Sequence, residues 1–336
     1  MKIAVIGPGA IGGLVAGYLK LNHEEVSLVG HADAVEAIQK KGLEISGVRG
    51  KFNLKIDVSG ELDYSPELAI ICTKTQDLAE FLQKNRDYLK DSLILCAQNG
   101  VRAEEIISGF LPEKNIISSI VMFGSTYLEP AKITHNFEGS WIIGRRSGRN
   151  DDPVIRVSRA LEKAFSVILA EELLGMKYLK IFVNANNCLP AILGQSMQEV
   201  FAHGQISRIS IAIWKEGLMV TAAAGIKLVS LPDFPLERME KLLALPGEQA
   251  AGILSGIISG LSKEPLYGSI LQSIKRGRPS EIDYINGEFI ALAGKHNTRA
   301  PLNEKLVEMV HAVEQTGKFY SKEELVEATK SLIEKA

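Results

Sequence analysis

MKIAVIGPGAIGG, Met1 to Gly13, places a short apolar run, a glycine turn and the start of an apolar helix in succession at the head of the chain. Lys2 to Ile6 is predicted to be a buried parallel strand. Gly7, Gly9 and Gly12 follow at GxGxxG spacing, and Ile11 to Leu19 continues with helical period. Each glycine has a separate physical task. The first permits the tight turn out of the strand, the second lets a pyrophosphate reach the backbone, and the third lets helix and strand pack closely, with the phosphates at the positive helix N-terminus. Gly7, Pro8, Gly9, Ala10, Ile11 and Gly12 are therefore the expected dinucleotide-binding residues. The expected fold class is α/β, beginning with a Rossmann-type doubly wound sheet.

The chain has 336 residues, more than one domain usually spans, so two domains are expected. Hydrophobic residues at 46% and charged residues at 23% are ordinary for a soluble globular protein. A net charge of −2, with acids and bases interspersed, gives no electrostatic reason to expect nucleic acid or an anionic membrane as partner. With a strand predicted from residue 2, no signal peptide is expected. The longest apolar run, Ala250 to Leu261, is short for a bilayer, so no membrane association is expected. Cys72, Cys96 and Cys188 are far apart and form no CxxC pair, which fits a reducing cytoplasm without disulfides or a metal site.

Val26 to Val29 is predicted to be the second strand, at whose end a Rossmann fold selects its cofactor. An acid there would hydrogen-bond the ribose 2′-OH of NAD or FAD, but the strand runs into Gly30 and His31. That favours NADP, with His31 at the 2′-phosphate. The nearest acid, Asp33, is expected to be the N-cap of the next helix, with Glu36 completing a capping box. Glu44 to Ser59 resembles a small hairpin. Leu68 to Thr73 and Leu93 to Ala97 are continuous apolar runs, hence buried parallel strands, and Lys74 and Asn99 stand at their carboxyl ends, where ligands of open parallel sheets lie. Asn115 to Gly144 holds two or three strands, with His135 inside one as a structural residue. Asp151 to Pro153 opens a helix, and Val167 to Ala170 is the last expected strand.

From Glu171 onward the period is helical, so the boundary is expected near residue 170, with a nucleotide domain over 1–170 and a helical domain over 171–336. In MKYLKIFVNANNCLPAILG, starting at Met176, residues Lys180, Asn184 and Cys188 are spaced to share one helical face. Asn is a poor helix residue, and Asn184, Asn186 and Asn187 crowd before Pro190. Either they satisfy carbonyls near the proline, or they form a polar wall for a small, oxygen-rich substrate. Cys188 lacks a base that would make it a nucleophile. Lys177 is expected to be dispensable, and Lys215 and Glu216 to lie on solvated or interhelical surfaces. Gly252, Gly256 and Gly260 suggest close helix packing in the core. Pro279 to Gly287 is expected to open a helix, with Pro279 in its first turn and Ile282, Ile285 and Phe289 on its buried face. By spacing alone Glu281 is a dipole-favoured surface acid at the start of that helix. Leu302 to Val313 is expected to be a terminal amphipathic helix.

Taken in order, GPGAIG, TKTQ around Lys74, QNG with Asn99, the KxxxN of Lys180 and Asn184, and SILQSxxxGRPSEIDYING with Ser269 and Glu281 resemble the ketopantoate reductase family (2-dehydropantoate 2-reductase). The likeness runs from Met1 to about Val313. It implies a Rossmann domain joined to a helical domain with the active site between them, and NADPH reduction of 2-dehydropantoate to (R)-pantoate on the route to pantothenate and coenzyme A. It also implies Lys180 as general acid, Glu281 as a group holding cofactor and site, Lys74, Asn99 and Ser125 along the cofactor, and Asn184 and Ser269 on the substrate. Asn99 is placed to meet the substrate as well. A small 2-oxo acid is the expected partner, and a homodimer is compatible with the resemblance.

Four positions depart from the family pattern. His31 replaces an arginine, Cys188 stands where a second substrate-binding asparagine is expected, Gln198 stands where a further one is expected, and Ser273 replaces an acid. A paralogous reductase of another branched 2-oxo acid is the main alternative; a non-catalytic NADPH sensor and a flavoprotein are the others.

Overall fold

The computed structural model describes residues 1–260 and 265–333, so Leu261, the end of the long apolar run, lies outside the described residues. The chain divides into two compact units, Met1–Lys177 and Tyr178–Ala336. The division falls later than residue 170, inside a helix.

The first unit alternates strand and helix: β1 (Lys2–Ile6), α1 (Ala10–Leu21), β2 (Glu25–Val29), α2 (Ala32–Lys41), β3 (Leu43–Gly47), β4 (Phe52–Leu54), β5 (Asp57–Ser59), β6 (Leu68–Ile71), α3 (Leu78–Leu89), β7 (Leu93–Cys96), α4 (Ala103–Ser108), β8 (Ile116–Val121), β9 (Gly124–Glu129), β10 (Lys132–Phe137), β11 (Ser140–Gly144), α5 (Asp152–Leu161) and β12 (Ser166–Leu169). Eight strands form one sheet in the order β12-β11-β8-β7-β6-β1-β2-β5. It is parallel except between β11 and β8. Every residue of β6 and all but Lys2 of β1 are buried, as continuous apolar runs between covered faces require. The order reverses at β1, which lies between β2 and β6, and the register aligns Ile6 with both Val29 and Ile71. The carboxyl ends of these strands therefore reach one rim, the usual ligand edge of such a sheet.

A second sheet has the order β4-β3-β10-β9. The expected hairpin over Glu44 to Ser59 is only partly formed. β3 and β4 pair antiparallel, but β5 leaves them to pair with β2, and β3 takes β10 as its parallel neighbour. Helix α1 packs closely on this sheet. A Cβ added to Gly13 would stand 2.2 Å from Ile133 Cδ1, and one added to Gly17 would stand 2.2 Å from Ile45 Cδ1. His135, in β10, is buried, and its Nδ1 pairs with the Tyr18 hydroxyl at 2.9 Å. Burial holds its pKa below the usual histidine value, so it is a neutral packing residue.

Helix α6 (Leu173–Ala185) carries the chain into the second unit, which continues with α7 (Cys188–Leu193), α8 (Met197–Phe201), α9 (Gly204–Ala223), α10 (Leu236–Leu243), α11 (Gly247–Ser259), α12 (Ser269–Lys275), α13 (Asn286–Lys295), α14 (Pro301–Thr316) and α15 (Lys322–Ile333). Helix α9 is the centre, touching α8, α10, α11, α13, α14 and α15. Three sequence expectations are corrected here. The helix containing Lys180 stops at Ala185, at the asparagine cluster, instead of running on to Cys188. Glu281 precedes a single 3₁₀ turn, Ile282–Tyr284, and the next helix begins only at Asn286, although Ile282, Ile285 and Phe289 are fully buried as expected. Gly252 and Gly256 are exposed, with nothing within 4 Å of an added Cβ, so they mediate no core contact. Among the described residues no helix is long and apolar enough to cross a membrane.

Candidate active site

In the first unit the glycine turn is closed by contacts that exclude side chains. Gly7 has φ +95°, and a Cβ there would meet Thr73 N at 2.8 Å; a Cβ on Gly12 would overlap Gly7 O at 2.0 Å. Gly9 differs. It is the N-cap of α1, and a Cβ on it would meet nothing within 4 Å. The N–H groups that open α1, including those of Ala10 and Ile11, have no acceptor within the helix, and its first turn carries no acid. An open side beside outward-pointing donors at a positive helix end suits a pyrophosphate.

Pro8 is buried against the end of β2, where a Cβ on Gly30 would stand 2.3 Å from its ring carbons. This contact sets His31 next to the turn. His31 is exposed and is itself the N-cap residue of α2, without a side-chain capping bond, while Asp33 lies within the first turn and is not the cap. Lys74, part-buried, follows β6 at the head of a 3₁₀ turn, Thr75–Asp77. The Gln98 side chain donates to Ile71 O and Thr73 O, both at 3.0 Å, tying the end of β7 to the loop after β6. Lys74 and Asn99 are thereby held on the same edge. Ser125 sits in β9 of the second sheet, paired in register with His135.

In the second unit Lys180 and Asn184 lie one turn apart on α6, both partly exposed. Among the described residues Lys180 has no hydrogen-bond or ion-pair partner. Burial lowers its pKa to about 8, against an upward pull from the Asp233 carboxylate.

Cys188 is fully buried at the start of α7, where Asn286 Nδ2 donates to its Sγ at 3.7 Å and burial pushes the thiol far up. It presents neither a surface to a substrate nor a thiolate. The expectation that it binds substrate is corrected, because the break after Ala185 turns it into the core. Gln198 is also committed, its Oε1 accepting from Leu266 N at 3.0 Å. Ser269 is exposed as the first residue of α12, and Gly268 before it lies against Asn187, where a Cβ would stand 3.0 Å from Cγ. The start of α7 and the start of α12 thus meet within this unit. Glu281 is part-buried at its 3₁₀ turn.

A model described as ketopantoate reductase PanE/ApbA matches residues 3–148, and its C-terminal counterpart matches residues 172–314. The chain belongs to the ketopantoate reductase family. The 2-dehydropantoate 2-reductase of Pyrococcus horikoshii is 32% identical over 324 residues, covering 94% of this chain and 99% of that one. Its counterpart in Pyrococcus abyssi is 28% identical, covering 90% and 94%. Among solved structures, D-mandelate dehydrogenase with NADH and anilino(oxo)acetate superposes with a TM-score of 0.80 at 25% identity, covering 94% of this chain and 99% of that one.

Two charged residues of this family member, Lys177 and Asp233, escaped the sequence reading. Lys177, expected to be dispensable, is 3% exposed and ion-paired with Glu104, which is 4% exposed and also accepts from the Ser118 hydroxyl. A signal was available: Leu173 and Ile181, four residues to either side of Lys177, are buried, so the apolar stripe of α6 passes through it. Glu216 takes the interhelical of its two expected places: it is buried and accepts from Leu302 N and Asn303 N, both at 2.9 Å, and from Asn303 Nδ2 at 2.8 Å, so it caps α14. Asp233 lies in a loop and carried no periodic signal.

Proposed function

We propose that this chain reduces 2-dehydropantoate to (R)-pantoate with NADPH, a step towards pantothenate and coenzyme A. The observation that carries this reading is Lys180, a partly exposed amine with a pKa of about 8, without a described partner and one turn from Asn184. A nicotinamide dinucleotide at Gly7 to Gly12 supplies the hydride. Reduction of a ketone leaves negative charge on its oxygen, and Lys180 stabilises that charge by hydrogen bonding and then delivers the proton. Asn184 and Ser269 hold the hydroxyl and carboxylate ends of the substrate. Lys74 and Asn99 line the cofactor edge, with Asn99 also reaching the substrate, and Glu281 helps to hold the cofactor. The preference for NADPH rests on His31, an exposed residue just after β2, a strand that ends at Val29 and runs into Gly30 without an acid.

A second reading, reduction of a different 2-oxo acid, is favoured by the likeness to D-mandelate dehydrogenase. A panel of 2-oxo acids, each followed by loss of NADPH or NADH absorbance, separates the two. The expected result is the highest kcat/KM with 2-dehydropantoate and NADPH. Preference for an aryl 2-oxo acid would replace the first reading by the second, and no oxidation with any acid would remove both.

A further inference from the structure

The parallel ladder between β6 and β7 ends where Ala97 N donates to Ile71 O at 3.0 Å. One residue later Gln98 carries the pairing on with its side chain. Its amide nitrogen donates to the same Ile71 O and to Thr73 O, both at 3.0 Å, and two carbonyl partners fix which way the amide is turned. Gln98 is 6% exposed, and its Oε1 is left buried with no hydrogen bond among the described residues. The Thr73 hydroxyl oxygen is buried without a partner too. An unpaired buried acceptor opposes folding, and the backbone ladder is already complete without it. The amide is thus costly for the sheet, and what it achieves is the placement of Thr73. That residue lies against the glycine turn, where a Cβ on Gly7 would stand 2.8 Å from Thr73 N, and it leads directly into Lys74.

We propose that Gln98 is a positioning residue for the nicotinamide half of the dinucleotide: its amide holds Thr73 against the glycine turn and so sets where Lys74 leaves β6. A dinucleotide lies across the crevice at which the strand order reverses, with its adenosine ribose at the end of the second strand. Here that end is β2, followed by His31, and β6 and β7 stand on the other side of β1. The opposite half of the cofactor therefore lies over Thr73 and Gln98. The inference rests on the reading of the glycine turn as a dinucleotide site, and it deepens that reading by assigning different residues to the two halves.

The test compares the full chain, unmodified and as Gln98→Met, an apolar side chain of similar length that neither donates to the two carbonyls nor leaves an acceptor unpaired. NADPH binding is followed by fluorescence titration, and binding of adenosine 2′,5′-bisphosphate, which lacks the nicotinamide half, by calorimetry. In Gln98→Met the Kd of NADPH should rise about five- to thirtyfold, because the loop must now be ordered on binding, while that of the bisphosphate should stay within about twofold. The KM for NADPH should rise with the Kd, and kcat at saturation should change by less than about threefold. The two proteins should melt within about 3 °C of each other, since two lost hydrogen bonds are set against one removed unpaired acceptor. A lower melting point with unchanged NADPH affinity, or equal weakening of NADPH and bisphosphate, makes Gln98 a residue of the fold alone and overturns the inference. Gln98→Leu repeats the measurements should Gln98→Met not fold, and failure of both to fold has the same meaning. If the unmodified chain binds NADH but not NADPH, NADH and adenosine 5′-diphosphate replace the two probes. If it binds neither dinucleotide, the reading of the glycine turn falls, and this inference with it.

Discussion

Replacing Lys177 by alanine removes the partner of a carboxylate that is 4% exposed. Burial pushes the Glu104 carboxyl up, yet Lys177 and the Ser118 hydroxyl pull it down, and the net position is below the ordinary carboxylate value. Without Lys177 burial is opposed only by the Ser118 hydroxyl and one backbone N–H, and Glu104 Oε2 already lacks a hydrogen bond. The least unfavourable response is for Glu104 to take up a proton. At pH 7 that costs about 1.36 × (7 − 4.3), or about 3.7 kcal/mol, within the roughly 3 to 5 kcal/mol typical of breaking a buried pair. The sign is fixed by linkage. In the unmodified protein the depressed pKa contributes stability above the unfolded carboxylate value, lost as pH falls through the folded one; in Lys177→Ala the raised pKa makes the penalty grow with pH. At pH 5 it should be only about 1 kcal/mol. Thermal denaturation should show Lys177→Ala melting about 8 to 15 °C below the unmodified chain at pH 7, with the gap narrowing steeply by pH 5. A double replacement, Lys177→Met with Glu104→Leu, should recover most of the loss, because no uncompensated charge remains. A small or pH-independent effect of Lys177→Ala would refute the reasoning.

Lys180→Ala should lower kcat by roughly 10² to 10⁴ with little change in dinucleotide affinity measured by fluorescence titration. Because the protonated amine is the active form and its pKa is about 8, kcat/KM should be level below pH 8 and fall about tenfold per unit above it, and a level profile through pH 9.5 would count against the role. His31→Asp should reduce the NADPH-to-NADH preference by about ten- to a hundredfold through like-charge repulsion, whereas equal use of both cofactors by the unmodified chain would remove the basis for the prediction. Cys188→Asn should destabilise by about 1 to 3 kcal/mol in urea unfolding, because a larger side chain enters a fully buried site, while Cys188→Ser should keep its activity. Loss of turnover in a folded Cys188→Ser protein would bring covalent catalysis back into consideration.

The glycine turn and the rim strands were legible in the sequence because their causes are local: β1, β2, β6 and β7 are apolar runs ending at the predicted turn residues. The pairing of β3 with β10 was not legible, since Glu44 and Lys132 are far apart in sequence and nothing in either strand names its partner. In the second unit periodicity found the helices but carried the Lys180 face past Ala185, where the asparagines end it. Lys180 and Asn184 were visible by spacing; Asp233, whose carboxylate pulls the Lys180 pKa upward, was not, because it lies in a loop without periodicity. Lys177 was misjudged as dispensable because its partner, Glu104, stands on α4, far away in the sequence.

The second sheet has a consequence for the order in which the chain can acquire its structure. Its strands come from two segments, Leu43–Leu54 and Gly124–Phe137, so its central pair cannot close until β10 has left the ribosome. Helix α1 and its flanking strands are adjacent in sequence and can associate early, but the side chains of Ile45 and Ile133 that press on Gly17 and Gly13 belong to that later closure. Contacts of long sequence separation form slowly, because loop-closure entropy opposes them. The nascent N-terminal βαβ segment should therefore hold its phosphate loop only loosely. Hydrogen exchange during refolding should show α1 gaining full protection together with β10, after β1 and β2.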